Sequence, residues 1–208
     1  NAGGSLLTRG GLTLTADNWT NSSVIQAGRL TVNVNTLNQT AGGQLLASDS
    51  LTGNGGNWNN DGLIASDGTA NLTLAGTYGG NGRYSSVGTL GLSAAQVTLG
   101  TGTSIAGGGD TTISAGGLSN AGRLTSGGSM TVTANSIGNT GTLGATQDLT
   151  LKTPSLVNDH GLIFSGRNMD LLVNDFTNDN GDVYSIGNLN ISGLNGGRAN
   201  SVTNLASS

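Results

Sequence analysis

Large apolar residues return about every 20 positions along the whole chain. Leu6, Ile25, Leu45, Ile64, Tyr84, Ile105, Leu124, Leu143, Ile163 and Val183 are separated by 19, 20, 19, 20, 21, 19, 19, 20 and 20 residues. A period held this closely confines the chain to a solenoid, in which each repeat buries its apolar side against its neighbours. A second apolar run begins near Leu12, Leu30, Leu51, Leu72, Leu90, Met130, Leu149, Met169 and Leu189. It alternates, as in Leu12-Thr13-Leu14 and Met130-Thr131-Val132, and period two is the mark of a strand. A third column reads Trp19, Leu37, Trp58, Tyr78, Val97, Leu118, Ile137, Leu156, Phe176 and Leu194.

Three strands in so short a repeat leave no room for a helix, because a crossover helix alone would use most of the length. The spacing also fails the leucine-rich pattern. The expected fold is all-β: a right-handed parallel β-helix with about 20 residues and three short strands per coil, about ten coils in all. Stacked at ~4.8 Å, such coils make a rod of roughly 50 Å. The whole chain, 1–208, reads as one such domain, with 195–208 an irregular tail or the start of another coil. The pattern is already running at Asn1, which suggests a segment of a longer array.

The alternation supplies a second expectation. Two residues after the first column stand Thr8, Ala27, Ala47, Ser66, Ser86, Gly107, Ser126, Ala145, Ser165 and Ser185, all small. A large inward residue followed by a small one suits a narrow, densely packed tube. Asn1, Asn21, Asn60, Asn120, Asn139, Asn158 and Asn178 precede the first column by four or five residues, usually with a glycine soon after. Both residue types tolerate positive φ, so these are expected corners, and the amides could stack as a ladder. Residues 51–57 interrupt the second strand, residues 76–82 read as a loose corner, and residues 101–110 shift the second strand by about two positions.

The unit Asn120-Ala121-Gly122-Arg123-Leu124-Thr125-Ser126-Gly127-Gly128-Ser129-Met130-Thr131-Val132 resembles the filamentous haemagglutinin repeat. So do Asn139-Thr140-Gly141-Thr142-Leu143 and residues 158–173. The resemblance runs over roughly residues 1–194. It implies a right-handed parallel β-helix fibre of a two-partner secretion exoprotein, either a filamentous adhesin or a toxin-delivery protein of contact-dependent growth inhibition. It also implies an outer-membrane transporter as partner and a secreted or cell-surface location.

Composition narrows the chemistry. The 208 residues include 38 glycines, one proline and no cysteine, and only 9 % are charged, with a net charge of -4. That charge argues against a nucleic-acid footprint, which needs clustered Lys and Arg. No apolar run is long enough to span a membrane as a helix. Without cysteine there is no thiolate nucleophile or thiolate zinc site. The lone His160 sits in the corner Asn158-Asp159-His160-Gly161 and reads as a solvated turn. Gly107-Gly108-Gly109 lacks the Lys and Ser/Thr of a phosphate loop. Some β-helices hydrolyse polysaccharides with paired carboxylates. Here Asp159 and Asp179 fall about one coil apart, with Asp61, Asp175 and Asp182 as further acidic positions, and they read as solvated corners. No calcium nonapeptide repeat is present, and neither a metal nor a cofactor is expected.

The surface candidate is aromatic. With Ile163 and Val183 inward, Phe164 and Tyr184 face out on adjacent coils about 5 Å apart. With Arg167 and Asp182 they form a candidate site for a target-cell protein or glycan. Trp19, Trp58, Tyr78 and Phe176 are expected in the core, and Arg83 and Arg123 in water. The function expected is a non-enzymatic shaft, the alternative a receptor- or glycan-binding adhesin segment, and a carbohydrate-cleaving enzyme comes third.

Overall fold

The computed structural model describes residues 4–206, so the corner residues Asn1 and Gly3 lie outside the described residues. Among the described residues there is no helix, and every strand belongs to one sheet wound into stacked coils. All strand pairs are parallel, each strand bonding to its counterpart one coil away.

The first column is in register from end to end: Leu6, Ile25, Leu45, Ile64, Tyr84, Ile105, Leu124, Leu143, Ile163 and Val183 are successive Cα partners. From Ile25 to Ile163 each is fully buried. Burial of such a side chain is worth about 1.5–3 kcal/mol, and the stack takes the place of a globular core. The small column aligns as well, from Ala27 through Gly107 to Ser185. Its buried hydroxyls find partners, as when Ser126 Oγ donates to Gly109 O at 2.8 Å.

The second and third apolar runs are mostly one strand with a kink. In Met130–Asn139 and Met169–Asp179 the pairing register skips a residue between the two faces. The sole proline, Pro154, falls in that skip, where the sheet does not need its missing N–H. In two coils the runs are separate strands, Thr69–Leu74 with Thr77–Gly80 and Leu189–Ser192 with Ser201–Leu205.

Two column assignments change. Opposite Leu51 and Leu90 stands Ala70, not Leu72, which lies one inward position further on, opposite Gly53 and Leu92. The coil there is laid down two residues earlier than the leucines suggest, because Ala70 is small enough to pass unnoticed as a core residue. Likewise Phe176 pairs with Val202, whereas Leu194 lies in a turn. Residues 193–200 form a loop, and Ser201–Leu205 then rejoins the sheet beside Asp175–Asp179.

Residues 51–57 are not an interruption but part of the strand Gln44–Asn60. Their glycines make room for Trp58. A Cβ on Gly53 would run into the Trp58 ring and Leu72, and one on Gly55 into Val34 O and the indole nitrogen. The buried indole N–H donates to Val34 O at 2.8 Å. Of the other aromatics in this column, Tyr78 and Phe176 are buried, and Trp19 is half-buried on the first coil.

The expected corner asparagines from Asn21 to Asn178 are buried, and all but Asn60 join amide stacks. Asn120 Nδ2 donates to Asn139 Oδ1 (2.7 Å), Asn139 to Asn158 (2.8 Å), Asn158 to Asn178 (2.7 Å) and Asn178 to Asn204 (2.8 Å). Asn21 similarly donates to Gln39 Oε1 at 2.9 Å. Each rung also ties to a backbone carbonyl, as Asn120 Nδ2 does to Thr142 O at 2.9 Å. The glycines that follow are not at positive φ. Gly141 is required because a Cβ would strike the backbone of Ala121 and Gly122 one coil below. Positive φ falls instead on His160 (54°) and Asn180 (50°), the extra residue in the two longer corners.

Candidate functional site

The surface of the rod is set by the alternation that builds its core. On the first face, outward residues flank the buried column at the positions just before and just after it. In the four middle coils these are polar or small: Arg83 and Ser85, Ser104 and Ala106, Arg123 and Thr125, Thr142 and Gly144. Arg83 and Arg123 are exposed. In the last two coils the same positions become Leu162 and Phe164, then Asp182 and Tyr184.

Phe164 and Tyr184 are direct Cα partners, as the spacing predicts. The rings nevertheless do not share one environment. Phe164 leans over Gly144 on the preceding coil, where a Cβ would fall within its ring, and Gly144 is buried beneath it. Tyr184 stays 57 % exposed. Between them runs a shallow cavity of about 590 Å³ lined by Leu162, Phe164, Asp182, Val183 and Tyr184. The structure thus brings together Phe164, Tyr184 and Asp182. Arg167 is exposed in the turn beyond Ser165, outside the cavity lining. There its main-chain carbonyl accepts from Gly187 N and Ser185 Oγ, both at 2.7 Å. Leu162 was missed by the sequence reading, although it is the other outward neighbour of Ile163. The seat at Gly144 had a signal too: a glycine one coil before a ring in the same outward column.

Several of the carboxylates have structural partners. Asp159 and Asp179 are Cα partners on adjacent coils. Asp159 Oδ1 lies 2.5 Å from His160 Nδ1, both side chains being largely exposed, and Asp179 Oδ1 accepts from Asn180 Nδ2 at 2.8 Å. Asp61 accepts from Asn81 N at 2.9 Å and from Asn59 Nδ2 at 2.7 Å. Another corner uses acidic and amide side chains to satisfy N–H groups of the next coil: Asp110 takes Ser129 N, Asp148 takes Asn168 N, and Asn168 takes Asn188 N. Among the described residues, no three acidic or imidazole side chains converge on one point.

Two titratable groups depart from ordinary behaviour, and both are inside. Burial pushes the phenol of Tyr78 far up, a rise that the hydrogen bond from Asn60 only partly offsets. Burial likewise raises Tyr84, with Tyr78 adding to the effect; its hydroxyl donates to Gly91 O at 2.8 Å. Both rings are fully buried in the core, and packing accounts for the perturbation.

No helix among the described residues is long and apolar enough to cross a membrane. No curated protein and no solved structure matches the chain. The haemagglutinin repeat family matches it over residues 1–27, 25–83, 65–138 and 125–206. That family is typical of secreted and surface adhesins, and its repeat on a β-solenoid fits a structural shaft segment. With the repeat matched along nearly its full length and the first column paired coil to coil from Leu6 to Val183, the chain belongs to the haemagglutinin repeat family.

Proposed function

We propose that this chain is a non-enzymatic shaft segment of a secreted or cell-surface bacterial exoprotein, extending an adhesive or toxin-delivering part away from the cell. The observation that carries the reading is the continuous parallel register, coil on coil, with its hydrogen bonds directed along the rod. A rod of this kind transmits position without chemistry, and its coils interact chiefly with their nearest neighbours. That suits export as an unfolded chain through an outer-membrane two-partner secretion transporter, followed by folding outside. Removing residues 104–141 from the full-length exoprotein takes out two coils and joins Thr103 to Thr142 in register. Adhesion or toxin delivery should persist, measured alongside the β-type circular dichroism of the shortened protein. Loss of activity with the fold intact would assign those coils a recognition role instead.

A second reading rests on the exposed ring of Tyr184 beside Phe164 and Asp182, as a contact for a target-cell surface protein or glycan. Binding to target-cell surface preparations should then drop in Phe164→Ala and Tyr184→Ala. Unchanged binding in both would remove the site.

A further inference from the structure

Two buried side-chain atoms lack a hydrogen-bond partner among the described residues, Thr111 Oγ1 and Asn120 Oδ1. Both lie on one strand, Thr111–Asn120, one at each end. Across the step to the preceding coil, the register places Leu90 opposite Thr111 and Leu99 opposite Asn120. Across this step both ends of the strand meet a leucine, whereas on the far side Thr111 meets Met130 but Asn120 meets an amide.

The steps that follow differ. Asn120 faces Asn139, Asn139 faces Asn158 and Asn158 faces Asn178, each pair bonded. The ladder is directional, each amide donating to the next coil. Asn120 is its first rung, and its oxygen needs a donor that Leu99 does not possess. Nor does corner geometry force a leucine there. Gln39 and Leu99 each stand six residues before the first column, ahead of Leu45 and Ile105. Gln39 accepts from Asn21 at 2.9 Å and donates to Leu63 O at 2.8 Å. An amide thus fits a corner of this length, and the later one lacks it.

We infer that the step between Leu90–Leu99 and Thr111–Asn120 is a built-in opening point, which divides the rod into two cooperatively folding units, one on each side. The backbone pairing across the step runs its full length, so the rod is continuous at rest. Only the side-chain pairing is missing. Opening there hydrates two polar atoms that are starved in the closed state, so it costs less than opening any step with bonded amides. Under pulling or partial denaturation the rod separates at this step first, leaving the laddered block intact.

Native-state hydrogen exchange, read coil by coil on the whole chain in low denaturant, tests the inference. Amides at 100–122 should open at lower denaturant than those at 130–159. Two variants remove the mismatch by different means. Leu99→Gln places an amide opposite Asn120, and Thr111→Val deletes the unpaired hydroxyl at constant shape. Each should slow exchange at the step by about tenfold and leave 130–159 unchanged. If one fails to fold, the other still decides. Exchange of all coils in one concerted event would overturn the inference, and so would a folded variant whose step opens as fast as the parent's.

Discussion

From Asn120 to Asn204 the inner corner of the rod is held by amide on amide, and from Asn60 to Leu99 by something quite different. In the middle region Asn60 Nδ2 donates not to another amide but to the Tyr78 hydroxyl at 3.2 Å. The next positions in the column are Gly80, at φ 116°, and the apolar Leu99. Tyr78 and Tyr84 pack with ring centroids 6.2 Å apart. The backbone is wound alike in both regions. The same coil can therefore be filled by a directional polar chain or by a local aromatic plug. The ladder spreads its strength over many coils, because every amide depends on its neighbours, whereas the plug ties together only two adjacent coils.

This contrast can be broken at either end. The largest effect is expected for Asn139→Leu. It removes both the acceptor for Asn120 and the donor for Asn158, in a corner from which water is excluded. A loss of about 2–4 kcal/mol in urea unfolding is expected, together with faster exchange in the coils on both sides. A purely local loss would mean that the amides do not act as a chain.

The plug should show itself in alkali. Burial holds the phenols of Tyr78 and Tyr84 protonated, so the unfolded chain releases these protons first. Their contribution is complete below about pH 10 and declines above it, by about 1 kcal/mol per tyrosine for each pH unit. Urea midpoints measured upward from pH 9 should fall, and Tyr84→Phe should roughly halve the slope. A smaller change is expected for Tyr78→Phe at neutral pH. Asn60 would lose one acceptor but keep Arg83 O at 3.0 Å, for a cost of about 1 kcal/mol in the same assay.

Much of the architecture was legible in the chain itself. Leu124, Leu143 and Ile163 stack because a period and an alternation leave a strand of four residues no other inward choice. The asparagine corners were visible for the same reason. What misled was size and proximity. Ala70 hid a core position that Leu72 seemed to fill, and Leu194 stood at the expected spacing while Val202 took the place after a loop. Glycines at 53 and 55 looked like a break until Trp58 was seen lying over them. At the surface, the pairing of Phe164 with Tyr184 followed from spacing, but the lean of Phe164 onto Gly144 and the separation of Arg167 from the cavity did not.

The sequence by itself determined the coil length, the inward columns and the family, since these depend on periodicity, which is a one-dimensional property. Only the tertiary structure decided which polar atoms meet a partner across a step. Hydrogen bonds depend on distances of a few tenths of an ångström between residues about 20 positions apart, and the identity of Leu99 becomes informative only once Asn120 is found above it.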